Sequence, residues 1–554
     1  MPSTPTTKSQ VQAYRFVLRR MQSALVRKDA VMLHDPMRTH SRATIVGVAL
    51  AALGLLGFLI WGILSPKPKV PSEDGIVIGK PSGQVYVLVT QPKKQLIPVF
   101  NLASARLLLY ARTLGEEENE LNGSGGPGTG NTQVYAPTVV DDNELRDEIP
   151  RGRKVGIADG PDLLPSADQR AESRWTVCDQ YQLDDDLTDP ARDDIVETSV
   201  IAGVRERGPE LAENASLLVR AENDDVYLVY RTPPTANEPI ASTVRAKVDM
   251  EEESITAALR VQDESLRNIS TGMLNAIPEK EPLAAPNIPG LGDQPESGTP
   301  PGLDIGTVFS VEPTGQAERF YVVLRNGIQQ IKKTTGDLIR FREDLTGGEI
   351  EKRSPQDVTR STVLDGEDRA IDDSTFPEQQ TEVLKPENYP VACLGWETTG
   401  SGDNEEERTS VHVGNDIPGV PKDPSTEGGL KWVDVSTPGS TGVRIHHFYM
   451  PPGRGAVVRQ ATSAADFATG PITLVSDRGV KYGVPDRATA QILGLDNPPP
   501  DPAPSEILKL LPDGASLDPR NVEQSYDTVP VGGGVYPTDS QDADAGSSGQ
   551  SGGG

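Results

Sequence analysis

The sequence predicts a single-pass membrane protein with an external α+β region, in which about four small β-α repeats lie around a mostly β central domain stapled by a disulfide. Three observations support this fold class. Residues 43–64 are predominantly apolar and uncharged, a strand–turn–strand–helix pattern recurs along the rest of the chain, and both cysteines lie in strand-like runs. With 54 glycines and 48 prolines among 554 residues, loops and linkers must also be extensive.

Charge is divided sharply along the chain. Residues 1–42 carry a net charge of +6, whereas the 490 residues after the apolar run carry −34, so the whole sequence has −28. Because positive charge concentrates on the cytoplasmic side of a membrane, we expect residues 1–42 in the cytoplasm and the acidic bulk in the periplasm, with the span in the inner membrane of the cell. A strongly acidic chain also excludes a nucleic-acid binder, which needs a basic surface.

The apolar run 43–64 has the length of a membrane span. As a helix its 22 residues rise about 33 Å, close to the hydrocarbon thickness of roughly 30 Å. A cleaved signal peptide is the alternative, but its apolar region covers about 7–15 residues and lies close to the N-terminus. Small residues on one face could let another membrane helix pack closely, although such stripes also arise by chance. This membrane packing stripe consists of Ala43, Gly47, Ala51 and Gly54.

The cytoplasmic segment 1–42 contains a basic amphipathic helix. Apolar residues spaced three and four apart predict a seam along one helix face. The seam is formed by Val11, Tyr14, Leu18, Met21 and Leu25, and it is flanked by Arg15, Arg19 and Arg20. Such a seam must be buried, either against the lipid bilayer or against a cytosolic partner domain. A solvated charged helix is the remaining interpretation.

The external region contains a recurring β-turn-β-α unit of about 40 residues. Residues 83–109, 306–341 and 472–495 each read as a strand, a turn, a second strand and a helix-like run, and a looser copy lies within 217–259. In the last of the three clear copies, Ala488, Ile492 and Leu493 are expected to face inward. Because the turn chemistry and the following amphipathic run recur together, we interpret them as repeats.

Linkers and composition changes predict the domain boundaries. The N-terminal helix segment 1–42 and the span 43–64 precede a linker with the first repeat. The external segments are 65–115 (linker and repeat 1), 116–133 (flexible linker), 134–200 (central domain, first part), 201–276 (repeat), 277–305 (Pro-rich linker), 306–344 (repeat), 345–462 (central domain, second part), 463–530 (C-terminal repeat) and 531–554 (disordered tail).

The cysteines, Cys178 and Cys393, lie in the strand-like runs WTVCDQYQL and PVACLGW of the predicted central domain. In an oxidising compartment a disulfide is the simplest interpretation. Two free buried thiols are the alternative. A disulfide would mean that the central domain is assembled from distant segments with repeats inserted between them.

The sequence contains only weak matches to nucleotide-binding and metal-binding motifs. GIVIGKP at 75–81 has one residue too few for a phosphate-binding loop, and Gly123, Gly125 and Gly128 match a dinucleotide pattern only as linker composition. His446 and His447 are adjacent on an extended run and would point to opposite faces, and the acidic cluster 184–186 lacks the glycine and glutamate of a calcium loop. We therefore predict no catalytic, cofactor-binding or metal-binding residues.

The N-terminal segment resembles the start of the EccB family, a membrane component of the type VII (ESX) secretion systems of mycobacteria and related actinobacteria. The family signature Q-V-x-x-Y-R-F-x-x-R-R-M-x-x-A-L is matched here residue by residue. The matching residues are Gln10, Val11, Tyr14, Arg15, Phe16, Arg19, Arg20, Met21, Ala24 and Leu25. The resemblance continues through the span and the order of repeats, so it covers essentially the whole chain.

This resemblance implies a structural core subunit that scaffolds assembly and the periplasmic exit path for secreted substrates. It implies assembly with EccC, EccD and EccE subunits, self-association outside the membrane and docking of a mycosin protease. It also implies that the external repeats have a propeller-like arrangement. ATP hydrolysis has been ascribed to the family, but this sequence supplies no nucleotide motif. The residues also leave open an envelope or peptidoglycan-binding membrane anchor, because such sites need only shallow polar grooves.

Overall fold

The computed structural model describes residues 7–27, 36–64, 70–120, 134–145, 149–181, 196–234, 241–261, 266–343, 349–400, 405–425 and 429–523. The chain divides into two compact units, Met1–Lys69 and Val70–Gly554. The predicted tail 531–554 and residues 121–133 of the predicted flexible linker lie outside the described residues.

The described part of the N-terminal unit consists of helices α1 (Lys8–Arg27) and α2 (Pro36–Leu64). Within α2, Arg42–Gly62 is long and apolar enough to cross a membrane, with a mean hydropathy of 2.5 and no buried residues. The predicted span 43–64 lies inside α2, which begins seven residues earlier. Proline suits that first position because its missing N–H has no partner there in any helix.

We call the second unit, Val70–Gly554, the external unit after its predicted location. It opens with a four-stranded sheet. Its elements are β1 (Gly75–Lys80), β2 (Val85–Val89), β3 (Gln95–Pro98), α3 (Leu102–Glu120) and β4 (Pro137–Asp141). The first three strands form an antiparallel meander, and β4 pairs in parallel with β1 after the helix. Because glutamate is a good helix former, α3 continues through the first five residues of the linker predicted at 116–133.

Two strands of a separate central sheet follow, and then two further small sheets. The central strands are β5 (Arg174–Tyr181) and β6 (Val196–Ala202). The second small sheet comprises β7 (Ala215–Arg220), β8 (Val226–Arg231), β9 (Thr243–Lys247), α4 (Glu253–Leu259), β10 (Leu266–Asn268), α5 (Thr271–Ala276) and β11 (Glu279–Lys280). The third comprises β12 (Val308–Val311), β13 (Arg319–Leu324), β14 (Gly327–Ile331), α6 (Lys333–Glu343), β15 (Glu351–Arg353) and α7 (Pro355–Arg360).

The C-terminal half completes the central sheet and adds a fourth small sheet. After β16 (Glu382–Val383), which pairs with β7, come the central strands β17 (Val391–Thr399), β18 (Glu406–Gly414), β19 (Val433–Asp434) and β20 (His447–Tyr449). The fourth small sheet comprises β21 (Gly455–Ala461), β22 (Ile472–Ser476), β23 (Lys481–Val484), α8 (Arg487–Leu493), β24 (Asp501–Pro504) and α9 (Ser505–Leu508).

Within the described residues the four small sheets share one strand order, third–second–first–fourth, and we refer to them as the first to fourth modules. In each module the fourth strand is parallel to the first. A later segment lies parallel to the third strand, through β11 in the second module and through bridges such as Leu96–Arg151, Ile328–Val363 and Lys481–Asp513 in the others. The full unit is therefore larger than the predicted β-turn-β-α pattern.

Several module strands lie beyond the limits predicted from sequence. Strands β4, β15 and β21 fall in segments that the sequence assigns to the central domain. The predicted Pro-rich linker 277–305 buries Leu283, Ile288 and Leu303 and so packs against the modules. In α8, Ile492 and Leu493 are buried as expected, whereas Ala488 is only half-buried.

The modules pack in pairs and share apolar cores. Helices α3 and α8 join the first module to the fourth, and α4 and α6 join the second to the third. The central sheet has the order β18-β17-β5-β6-β20-β19. One face of it, around Trp175 and Trp396, forms a core with α5 and α9 of the second and fourth modules. The central sheet is thus the element to which distant modules attach.

Candidate functional site

The two cysteines form a disulfide across neighbouring strands of the central sheet. Cys178 of β5 lies opposite Cys393 of β17, and the bond closes a sequence separation of 215 residues. Both are buried, on the face opposite Trp175 and Trp396, among side chains that include Ile417. The predicted disulfide is present, and it connects the segments before and after the second and third modules.

A cleft with a volume of about 1070 Å³ lies beside this disulfide. One wall is the segment 413–421, which is the end of β18 and the loop after it; Ile417 and Val420 of this segment pack in the cluster that contains the disulfide. Gly419 has a φ of +72°, and a Cβ there would lie 2.4 Å from Val204 and 2.8 Å from the Glu206 carbonyl oxygen. Only glycine fits this close approach.

The cleft has an acidic lining. Among its described residues it contains no lysine or arginine, and its carboxylates are Glu206, Glu210, Glu382 and Asp416. Its apolar surface comes from prolines and from side chains such as Val413 and Leu384. This composition suits a polypeptide surface better than an anionic cofactor.

Three arginines converge on Glu397 of β17. Arg174 pairs with this carboxylate, Arg207 Nη1 lies 3.3 Å from Oε2, and Arg408 Nη1 lies 3.5 Å from Oε1. Arg207 is almost fully buried and donates to the Trp396 carbonyl oxygen at 3.0 Å. Burial lowers the pKa of Arg207, which Glu397 opposes. The network holds the loop after β6 against β17.

Gly395 of β17 has no side chain, and Arg207 occupies the space that this leaves. A Cβ at Gly395 would lie 2.8 Å from Arg207 Cδ and 2.9 Å from Nε. The glycine is therefore a close-approach position in a central strand.

A buried carboxylate joins the central sheet to the second module. Asp179 Oδ2 accepts from the Ser270 backbone N–H at 2.7 Å, and Oδ1 accepts from the hydroxyls of Ser270 and Thr198, both at 2.8 Å. Ser270 is the N-cap of α5, and its Oγ accepts from the Met273 N–H at 3.1 Å. Burial raises the pKa of Asp179, against the opposing effect of these bonds and of Arg267. This joint places α5 on β5.

One pair of side chains has the atoms of a nucleophile and a base. His412 Nδ1 donates to the Gly208 carbonyl oxygen at 2.9 Å, so Nε2 accepts from Ser410 Oγ at 2.9 Å. Ser410 is 1% exposed, and burial lowers the pKa of His412. Because a substrate cannot reach Oγ, we assign the pair a structural role: it connects β18 to the loop after β6.

The residues that resembled chemical motifs have other roles in the structure. Gly75–Lys80 is strand β1, followed by a turn into β2, so it does not open a helix as a phosphate-binding loop must. His446 Nδ1 accepts from the Thr198 N–H, whereas His447 stacks on Trp432 and bonds Asp434. In the part of the chain that the structure describes, no His, Cys, Asp and Glu group could hold a metal.

The glycine pattern 123–128 and the acidic cluster 184–186 lie outside the described residues.

The N-terminal unit presents the predicted seam and stripe. The seam residues of α1, from Val11 to Leu25, are between 40% and 79% exposed. In α2, a Cβ at Gly47 or Gly54 would meet nothing within 4 Å. Within the described N-terminal unit, both surfaces are therefore open to contact.

The profile of one protein family matches residues 3–531 of this chain, and it is described as "Type VII secretion system ESX-1, transport TM domain B", or EccB. The chain belongs to the EccB family. Two relatives are similar over nearly their whole length. EccB1 of the ESX-1 system of Mycobacterium tuberculosis is 29% identical, over 95% of this chain and 96% of its own. EccB3 of the ESX-3 system of Mycolicibacterium smegmatis is 28% identical, over 94% and 91%.

Solved structures share the fold. A chain of an intact ESX-5 inner membrane complex matches with a TM-score of 0.63 at 22% identity, covering 97% of this chain and 99% of that one. A chain of the EccB3 dimer from the ESX-3 core complex matches with a TM-score of 0.62 at 24% identity, covering 81% and 100%. The EccB relatives are named ATPases. This EccB chain is a structural core subunit of a type VII secretion system.

Proposed function

We propose that this EccB chain scaffolds its secretion complex from both sides of the inner membrane. In this proposal α1 lies in the cytoplasm, α2 crosses the bilayer and the acidic external unit lies in the periplasm around the exit path for secreted substrates. The observation that carries it is the family match over residues 3–531, which includes α1, the span and the external unit together.

The external unit supplies the rigid part of the scaffold. We regard the four modules as copies of one repeat because they share a strand order and a parallel return strand. The disulfide and the Asp179 joint connect them through the central sheet. A body with a net charge of −34 repels its copies at low ionic strength, so self-association must use apolar or mixed patches rather than the general acidic surface.

The seam of α1 is the proposed contact with cytosolic parts of partner subunits. A matched pair of variants tests it. Leu18→Asp with Leu25→Asp places two charges on the seam, whereas Gln12→Asp with Ser23→Asp places two on the opposite side, by the 100° spacing of a helix. We expect only the seam variant to lose co-purification with EccC, EccD and EccE subunits. Equal retention by both variants would refute a seam contact.

The membrane packing stripe is a second proposed contact, because small residues let membrane helices approach closely. Gly47→Leu with Gly54→Leu fills the stripe, whereas Ala49→Leu with Ala52→Leu adds the same residues on the opposite face. The stripe variant should yield less intact complex in mild detergent than the control. If the two variants assemble alike, α2 packs through another face.

The external region is also the proposed docking site for a mycosin protease. Its apolar, acidic cleft beside the disulfide offers a shaped surface for a polypeptide. Crosslinking of mycosin to the cleft segment 413–421 in the assembled complex would support this placement. Crosslinks confined to the modules would move the docking site away from the cleft.

Two other functions make different predictions. A peptidoglycan anchor would retain isolated sacculi in a pull-down, whereas a scaffold subunit would not. An ATPase, the activity in the relatives' names, would release phosphate from ATP without EccC and lose that activity in Lys80→Ala. We expect neither result, because Lys80 ends a strand and is followed by Pro81.

A further inference from the structure

The first module carries a concentrated basic surface on an otherwise acidic external unit. It surrounds strand β3 and the parallel segment 151–155 that bridges to it through Leu96 and Val99. We call this surface the basic edge, and it consists of Lys93, Lys94, Arg112, Arg151, Arg153 and Lys154. All but the half-buried Arg112 are exposed.

The side chains that the structure describes do not neutralise the charges of the basic edge. Among the carboxylates whose side chains the structure describes, which leaves out those at 115–120 and 146–148, none forms an ion pair within 4.0 Å with any of the six cations. The nearby Asp74 carboxylate is engaged by Thr90, whose backbone N–H donates to Oδ1 at 2.7 Å and whose hydroxyl also donates to it. These described side chains therefore present a positive surface, although the 490 residues after the span have a net charge of −34.

Contacts with neighbouring groups orient three of these cations. Arg151 lies over the Tyr86 ring at 5.7 Å, and the Lys154 ammonium lies over the Phe100 ring at 4.3 Å. Arg112 donates to the Gln91 carbonyl oxygen at 2.8 Å, at the turn that carries Lys93 and Lys94. Cation–π contacts of this kind orient the charges without neutralising them.

Protection of a sheet edge accounts for only part of this pattern. Lysine on an edge strand blocks pairing with another chain, but Lys93, Lys94 and Arg112 lie on a turn and a helix rather than on the edge itself. Their common property is positive charge spread over a turn, a helix and an extended segment. A surface of this kind matches a plane of anionic headgroups rather than a single small anion.

The length of the chain favours the bilayer as the occupant. Residues 65–74 are the whole connection between the last residue of α2 and the first residue of β1. Ten residues reach at most about 35 Å even when fully extended, so the first module is tied more closely to the bilayer than any later one. We propose that the basic edge binds the anionic phospholipid headgroups of the membrane that α2 crosses.

This contact rests on the proposed placement of the external unit and adds an orientation to it. Anionic lipids attract the basic edge and repel the rest of the acidic body. The first module would therefore face the membrane, and the acidic surfaces of the other modules would face away from it.

Lysine labelling of the full chain in lipid nanodiscs tests the proposal. Discs of phosphatidylcholine alone are compared with discs of equal parts phosphatidylcholine and phosphatidylglycerol, and acetylation of single lysines is followed by peptide mass spectrometry. Lys93, Lys94 and Lys154 should react about fivefold more slowly in the anionic discs. Lys422 and Lys431, which are exposed on the central loops, serve as internal references and should react equally in both.

High salt and charge-removing variants test whether the slower lysine acetylation comes from an electrostatic contact with lipid. Because the screening length shrinks from about 10 Å at 0.1 M to about 3 Å at 1 M, high salt should remove the difference. Lys93→Gln with Lys94→Gln should also make Lys154 labelling independent of lipid, whereas the matched variant Lys422→Gln with Lys431→Gln should not.

Three outcomes would overturn the proposal. Equal labelling in both discs would exclude the lipid contact. Protection in both discs would mean that protein, such as a second copy, covers the edge. Protection in phosphatidylcholine discs by inorganic phosphate at matched ionic strength would assign the edge to a free anion. None of these readouts depends on the secretion complex, so their failure is distinguishable from failure of the scaffold role.

Discussion

Replacement of both cysteines by alanine should loosen the central sheet without changing its fold. Strands β5 and β17 are paired over seven residues, from Arg174–Glu397 to Gln180–Val391, so backbone pairing remains on both sides of the bond. What the double variant Cys178→Ala/Cys393→Ala loses is mainly the covalent restriction of the unfolded chain. Its packing loss is small, because both positions stay apolar within their buried cluster.

The sequence separation sets the size of the effect. In the chain-entropy account, closing a loop across a separation of 215 residues stabilises the folded state by about 5 kcal/mol. With a urea m value of about 3 kcal/mol per M, this corresponds to a midpoint lower by roughly 1.7 M.

Tryptophan fluorescence during urea unfolding measures this shift. Trp175 and Trp396 lie opposite each other on β5 and β17, so their emission reports the sheet that the bond joins. Reductant should lower the midpoint of the natural chain and leave that of the double variant unchanged. The reasoning is refuted if the two midpoints coincide without reductant, or if the natural chain, unfolded without reductant, contains two free thiols.

Three further predictions concern the central sheet and its joint. Gly395→Ala should lower stability by about 1–3 kcal/mol, because the added Cβ displaces the buried Arg207; an unchanged melting temperature would exclude this crowding. Ser270→Ala should cost about 1–2 kcal/mol in urea unfolding, because the Met273 N–H loses its cap; a cost below a few tenths would contradict it. Burial raises the pKa of Asp179 above 3.8, so the folded state retains this proton to higher pH. Relative to the Asp179→Asn variant, the unfolding free energy of the natural chain should fall as pH rises above 3.8 and then level off. An increase of this difference with pH would contradict the prediction.

Local patterns were sufficient for the features that depend on neighbouring residues. The span is visible because 22 apolar residues need no partner to identify them. The strands β2 and β3 and helix α3 are adjacent in sequence and separated by short turns. The disulfide also followed from sequence, because only two cysteines are present and both lie in strand-like runs.

Features that depend on distant segments were missed. Strand β4 returns to β1 only after a long helix and linker, and the predicted first repeat begins at residue 83, so it leaves out β1. The Asp179 joint connects residues 91 positions apart. The one available signal was an aspartate inside the apolar run WTVCDQYQL, since a carboxylate buried in a strand needs hydrogen-bond donors from elsewhere.

Genetic replacement tests the scaffold role most directly. In cells that lack their own EccB for this system, the full chain should restore both a high-mass inner membrane complex and secretion of the system's substrates. A chain without residues 1–42, checked for membrane insertion, should restore neither. Normal complex formation and secretion by the shortened chain would contradict the account.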